Sequence, residues 1–305
     1  MEMAMSPLDT AQARQHIERL DAAAEQRSVP FSHGRRMRWR VFGKGDPLVL
    51  IHGGHGSWLH WIRNIEPLSR DHLVFVPDLP GFGDSDDPPA GSGIQTIVDA
   101  VMTSLDSLLG GRCAINLAGF SFGGVVSARL AVQRGAVRRL ALLGSPASGT
   151  PPRPRTQLIR WRNAHGAAQL AALRHNLLAH MMHSENNVDA LAFEAYVGAL
   201  KATRFRGRGR GSAHSVALQD ILMPYTDPVL FVYGEHDVIC TPEMAKNSLM
   251  NAMACRECRV IPGGGHWVQL ERADEVNDEL ARWFGTLEHG SSRATVDLHH
   301  RGGPE

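Results

Sequence analysis

A short buried strand, a glycine-flanked serine and a helix follow one another between residues 113 and 134, and few folds have room for that succession. The run Cys113-Ala114-Ile115-Asn116-Leu117-Ala118 predicts a buried strand, and Val125 to Arg134 carries the apolar spacing of a helix packed on a sheet. Between them stands Gly119-Phe120-Ser121-Phe122-Gly123-Gly124. A turn that tight holds the serine in a strained backbone conformation, and only small residues fit two positions before and after it. The hydroxyl is pushed out of the sheet top, while the amide of Phe122 at the helix start points at the same space. The result is a nucleophile beside half an oxyanion hole. An inert serine in a glycine-rich turn is the competing reading, since 31 of the 305 residues are glycine, so the pattern needs partners elsewhere.

A chain of this length with 43% hydrophobic residues can bury a sizeable core, as one large α/β domain or as a core with an inserted subdomain. Lys and Arg number 32 against 31 Asp and Glu, a balance that implies no polyanionic partner. The start, Met1-Glu2-Met3-Ala4-Met5, lacks the basic and apolar regions of a signal peptide, and no run approaches 18 apolar residues. These features predict a soluble cytoplasmic protein with no nucleic-acid or membrane partner. Cys255 and Cys258 form a C-x-x-C, but no second pair stands at zinc-site spacing, so the four cysteines read as reduced thiols rather than a metal or redox centre.

Residues 1–30 are expected to form an amphipathic helical extension, with Ala11, Ile17, Leu20 and Ala24 on one side and Pro30 closing it. Core strands follow at Met37–Phe42, Pro47–Ile51, Leu73–Pro77 and Val137–Leu143 around the strand before Ser121, with helices at Trp58–Leu68 and Ile94–Leu109. The alternation predicts a doubly wound, mostly parallel sheet over residues 31–145, its ligand site at the strand C-termini. At 146–226 the rhythm breaks. Pro151-Pro152-Arg153-Pro154 marks an exit, and helical stretches near 156–183 and 187–203 predict a cap or lid. Arg204 to Arg210 is basic, and glycine interruptions make it a solvated loop rather than a nucleic-acid patch. Strands at Pro228–Tyr233 and Cys258–Ile261 and a helix near 271–286 complete the core over 227–287, and residues 288–305 read as a polar tail.

A serine hydroxyl needs an imidazole to take its proton, and the imidazole needs a carboxylate to fix its tautomer. Asp237 lies 116 residues beyond Ser121, just after a buried strand, and His266 lies 29 further on, in a glycine-rich loop after the next strand. Glu235 follows its strand too closely, and Asp78 precedes the serine and suits loop hydrogen bonding. The loop His52-Gly53-Gly54-His55-Gly56 can aim amides at a ligand, with Gly54 as the second oxyanion donor beside Phe122. Metal binding by His52 and His55 is the rival, without an acidic or thiol ligand nearby. His55, Trp58, Phe120 and Trp267 are the expected pocket residues.

His52-Gly53-Gly54, Asp78-Leu79-Pro80-Gly81-Phe82-Gly83-Asp84-Ser85, the Ser121 turn, Gly234-Glu235-His236-Asp237 and Gly265-His266-Trp267 stand in one order, and in it the chain resembles the α/β-hydrolase family from about residue 36 to 286. The resemblance implies an eight-stranded, mostly parallel sheet, a helical cap at about 146–226, and a cofactor-free, metal-free triad of Ser121, Asp237 and His266. Within the family, His266-Trp267-Val268-Gln269 is similar to the carbon–carbon hydrolases of aromatic ring-cleavage products. Those enzymes usually carry Asn where this chain has Phe120, and a cap arginine that Arg204 or Arg206 would match. An apolar Phe120 favours a small carboxylic ester, so the expectation is a serine esterase. A carbon–carbon hydrolase acting on a ketone, and a non-catalytic ligand-binding protein, are the alternatives. A homodimer is compatible with this reading.

Overall fold

The computed structural model describes residues 7–146, 156–205, 217–249 and 255–285. Strands β1 (Glu25–Ser32), β2 (Arg35–Phe42), β3 (Asp46–Ile51), β4 (His72–Pro77), β5 (Ile115–Phe120), β6 (Val137–Leu143), β7 (Val229–Gly234) and β8 (Arg256–Ile261) form one sheet in the order β1-β2-β4-β3-β5-β6-β7-β8. The pairings β1–β2 and β2–β4 are antiparallel, and every later pairing is parallel. Helices α1 (Pro7–Ala23), α2 (Ile65–Leu68), α3 (Ile94–Leu109), α4 (Phe122–Arg134), α5 (Gly166–His180), α6 (Ala190–Lys201), α7 (Leu218–Ile221), α8 (Pro242–Leu249), α9 (Val268–Glu271) and α10 (Ala273–Phe284) surround or cap it.

Burial explains which segments became central strands. Every residue of β4, β5 and β7 is buried, as is all of β3 after Asp46, because helices cover both faces. Two cores result. Val49, Ile51, Phe75, Leu117, Leu142 and Phe231 pack on one face with α3, α4 and α8, whereas Leu48, Leu50, Val74, Phe120 and Val232 pack on the other with α10 and the cap. The chain leaves β3 for β4 on one side and returns to β5 on the other, so the order switches beside β3. The crevice outside the strand ends at such a point is where open α/β sheets bind ligands, and the loops after β3 and β5 both end there.

The fold differs from the sequence expectation at several places. The extension over 1–30 is not helical throughout, because β1 follows α1 at Glu25, and a boundary at residue 30 would cut that strand. β1 pairs antiparallel with β2 at the sheet edge, and its burial pattern is half exposed, so it carries little apolar signal. The expected helix at Trp58–Leu68 is a 3₁₀ turn, Trp58–Trp61, followed by the single turn of α2. At the other end of the cap, Leu218, Ile221 and Leu222 bury in the main core and α7 packs against α4 and α8, so α7 belongs to the core. The described cap therefore comprises 156–205, with α5 and α6 as its helices. The tail at 288–305 lies outside the described residues.

Candidate active site

Ser121 stands between β5 and α4 at φ 53°, ψ −117°, a region that L-residues rarely enter. The surrounding glycines explain how the turn closes. A Cβ on Gly119 would lie 2.4 Å from Ser127 Oγ, and one on Gly123 would lie 2.2 Å from the His52 carbonyl oxygen. The α4 backbone thus rests directly on the β3 exit, which no larger residue permits. Ser121 itself keeps a sheet bond, its N–H donating to Leu143 O at 2.8 Å, so the strain is concentrated at its own dihedrals.

The structure brings Ser121, His266 and Asp237 together. Ser121 Oγ donates to His266 Nε2 at 3.0 Å, and His266 Nδ1 donates to both carboxylate oxygens of Asp237 at 3.0 Å. Asp237 is fully buried and also accepts at Oδ1 from the N–H groups of Ile239 (2.7 Å) and Cys240 (3.2 Å), which fix the carboxylate plane. A proton can therefore pass from the serine to an imidazole whose tautomer a buried carboxylate sets. Glu235, the competing acid, bonds to the Gly263 N–H instead.

Across the turn, Gly54 lies against Phe122: a Cβ on Gly54 would sit 3.6 Å from Phe122 Cβ. Two buried histidines shape the loop that carries Gly54. His52 Nδ1 donates to Gly53 O at 2.8 Å and its Nε2 accepts from Leu79 N–H at 2.9 Å, which occupies both ring nitrogens and leaves no lone pair for a metal. His60 Nδ1 accepts the Gly53 N–H at 3.1 Å. Burial lowers the pKa of His52 and pushes that of His60 well below the ordinary value, so both stay neutral and able to accept. His60 escaped the sequence reading. Its only signal was a histidine inside the apolar run Trp58-Leu59-His60-Trp61.

Three expected pocket residues are placed otherwise. Phe120 is fully buried, its ring 5.0 Å from that of His266 and 5.2 Å from that of His60, so it backs the imidazole from below. Trp267 is also fully buried and donates its indole N–H to His60 O at 2.9 Å. The Trp58 ring is buried under the Arg40 guanidinium, whose Cζ lies 4.5 Å from the ring centroid. The alternation of strand and loop brings large apolar rings near the site, and the sheet then uses them as packing. His55 is exposed, at φ 57°, beside Gly54.

Asp78 takes a structural role. Its buried carboxylate accepts from the N–H groups of Trp58 (2.8 Å) and Asp84 (3.0 Å) and from Arg40 Nη1 (3.0 Å), tying the β4 exit to the β3 exit. In the cap, Arg204 is engaged by Asp87 (2.8 Å) and by the carbonyls of Gly83 and Ser85, holding the cap to the 83–87 loop; Arg206 lies outside the described residues, as does most of the basic run after Arg204. Phe205 stands over Phe82 and Phe122, with centroids 5.5 and 6.5 Å apart, and is a cap residue beside the Ser121 turn that sequence reasoning missed. Among the described residues no group of three His, Cys, Asp or Glu side chains could hold a metal ion, and no helix is long and apolar enough to cross a membrane.

Residues 48–279 match the model of the alpha/beta hydrolase family. The chain is 30% identical over 262 residues to the dihydrolipoyllysine-residue acetyltransferase component of the acetoin cleaving system of Pseudomonas putida, covering 81% of this chain and 66% of that protein. The chain thus spans just under two thirds of that relative. It is 33% identical over 278 residues to (E)-2-((N-methylformamido)methylene)succinate hydrolase of Acinetobacter baylyi, covering 85% and 98%, and 27% identical over 254 residues to 2-hydroxymuconate semialdehyde hydrolase of a Pseudomonas species, covering 79% and 87%. In fold it is similar to naproxen esterase of Bacillus subtilis, with a TM-score of 0.71 at 19% identity over 93% of this chain and 100% of that one.

Proposed function

The chain belongs to the alpha/beta hydrolase family, and from that premise we propose that it hydrolyses a small carboxylic ester through an acyl-enzyme on Ser121. The observation that carries this reading is the unbroken Ser121–His266–Asp237 relay at 3.0 Å, with the serine held at a strained turn. His266 takes the hydroxyl proton as Ser121 attacks the ester carbonyl. The amides of Phe122 and Gly54 receive the developing oxyanion, and losing one such donor typically costs about a hundred-fold or more in rate. His266 then protonates the departing alkoxide, and afterwards activates the water that releases the acid. No step calls for a cofactor. The substrate is a small molecule.

The direct test is turnover of a short p-nitrophenyl ester series by the wild type and Ser121→Ala, with the mass of the acyl-enzyme recorded. Activity and an acyl adduct that both vanish with the serine are expected; equal inactivity of the two proteins across the series would sink the esterase reading. A carbon–carbon hydrolase is the second reading, favoured by the 27% identity to 2-hydroxymuconate semialdehyde hydrolase. Strong turnover of a vinylogous diketone with little ester hydrolysis would select it.

A further inference from the structure

One buried carboxylate outside the triad gathers N–H groups from two parts of the chain. Glu271, the last residue of α9, accepts at Oε2 from the Gly265 N–H at 2.7 Å and at Oε1 from the Ser184 N–H at 2.8 Å and Asn187 Nδ2 at 3.1 Å. The His183 N–H is shared between both oxygens at 3.0 Å. Gly265 directly precedes His266, whereas His183, Ser184 and Asn187 belong to the cap segment between α5 and α6. On the other flank of His266, the Trp267 N–H donates to Met181 O in the same segment at 2.6 Å. The two chains touch closely: a Cβ on Gly265 would lie 2.6 Å from His183 N and 2.9 Å from Glu271 Oε2. The acid loop is contacted as well, since the His183 ring stacks on that of His236, centroids 3.6 Å apart, one residue before Asp237.

We propose that Glu271 is a positioning residue that makes the seating of cap segment 181–187 and the alignment of His266 a single event. This inference rests on the acyl-enzyme reading above. A buried carboxylate is stable only with its oxygens supplied with donors, and each buried donor needs an acceptor. Glu271 meets both needs only when the cap segment and the histidine loop are in place together. If the cap segment lifts, the carboxylate loses three of its four donors, and the Gly265 N–H loses its fixed partner one residue from the catalytic imidazole. Glutamine cannot substitute. Its one amide oxygen serves either the cap side or Gly265, and its NH₂ then faces an N–H donor.

The test uses three full-length proteins, wild type, Glu271→Gln and Gly265→Ala, the last of which wedges the same junction apart while keeping the carboxylate. Ser121 is titrated with a fluorophosphonate to a mass end point, and kcat is expressed per labelled site on a p-nitrophenyl ester. Backbone hydrogen exchange is followed across 181–187. Both variants should lose about ten- to a hundred-fold in kcat per site, with a smaller change in KM, because an ångström of misplacement is enough for that loss. Exchange at His183 and Ser184 should accelerate while β5 and β7 keep their protection. A residue that merely stabilises the fold would lower the titratable fraction and leave kcat per site at the wild-type value; that result overturns the proposal. If the wild type takes no label and turns over no ester, the acyl-enzyme reading fails, and the exchange arm still decides the coupling: unchanged protection at 183–184 in Glu271→Gln overturns it.

Discussion

The strained backbone at Ser121 is sustained by contacts that leave its neighbours no freedom. With 2.2 Å between a hypothetical Gly123 Cβ and His52 O, Gly123→Ala must push α4 off the β3 exit; the expected outcome is loss of labelling by serine-directed probes, together with a lowered Tm. Asp237→Asn is expected to be milder on the fold and severe on the chemistry. The amide can present its NH₂ to His266 Nδ1 and trap the wrong tautomer, a change that costs about four orders of magnitude in kcat in comparable triads. Steady-state rates on titrated enzyme check it, and near-wild-type kcat would remove Asp237 from the relay. A third residue, Arg40, was invisible as a hub. Burial works against its charge, but Asp78, Asp21 and Asp84 together raise its pKa. Arg40→Leu strands the fully buried Asp78 carboxylate without its cation and should destabilise the protein by about 3–5 kcal/mol in urea titrations.

At the level of elements, α1 is fastened to the cap and the core at once. Ala13 and Leu20 are buried, α1 packs on α6, Arg14 bonds Glu194 of α6 at 2.8 Å, and Asp21 bonds Arg40 of β2. The apolar contact should carry most of this. Leu20→Ala is expected to cost about 2–4 kcal/mol, whereas Arg14→Ala, which removes an exposed ion pair, should leave the urea midpoint unmoved. Comparable losses for the two would show that the ion pair contributes as much as the apolar contact. The sequence made this element's helix legible through Ile17 and Leu20, but not its partner, because α6 lies some 170 residues further along the chain. Local pattern was enough where the apolar signal is strong: the strand Val137–Leu143 and the helix Ile94–Leu109 match to the residue. It failed at β1, whose exposed edge carries Glu25, Gln26 and Arg27. Ser121, Asp237 and His266, which the structure brings within hydrogen-bond reach, could be singled out because the proposed chemistry restricts residue type and order. The roles of His60 and Glu271 were not, since a buried polar side chain reveals itself only once its donors from distant loops are known.

For the whole molecule, buried neutral histidines tie stability to pH. His52 and His60 lie in the segment after β3 and His72 in β4, and burial lowers the pKa of each, with Asp71 and Asp46 partly opposing the shift at His72. The unfolded chain protonates these rings below about pH 6.5, and the folded chain resists until its lower values are reached. The unfolded state thus binds more protons in that window, and stability falls as pH drops below about 6.5, by up to about 1.4 kcal/mol per pH unit for each histidine that stays neutral. Urea titrations at pH 7.5, 6.5 and 5.5 measure it. His60→Gln, which keeps an oxygen acceptor for the Gly53 N–H and cannot be protonated, should flatten the dependence; an unchanged slope would show that His60 is not a source of it.

The bond from Trp267 to His60 O and that from Gly53 to His60 Nδ1 have a practical reach beyond stability. They weld the loop after β3 to the loop after β8, so the proposed oxyanion donor Gly54 and the proposed base His266 sit on one cross-linked block, and Phe205 approaches that block from the cap without belonging to it. A mutant library aimed at new substrates would do well to hold residues 52–60 and 264–271 constant and to randomise Phe205 and its neighbours in the cap. Diversity spent inside the welded block would return inactive clones, whereas diversity spent at its rim changes what is admitted to a machine left intact.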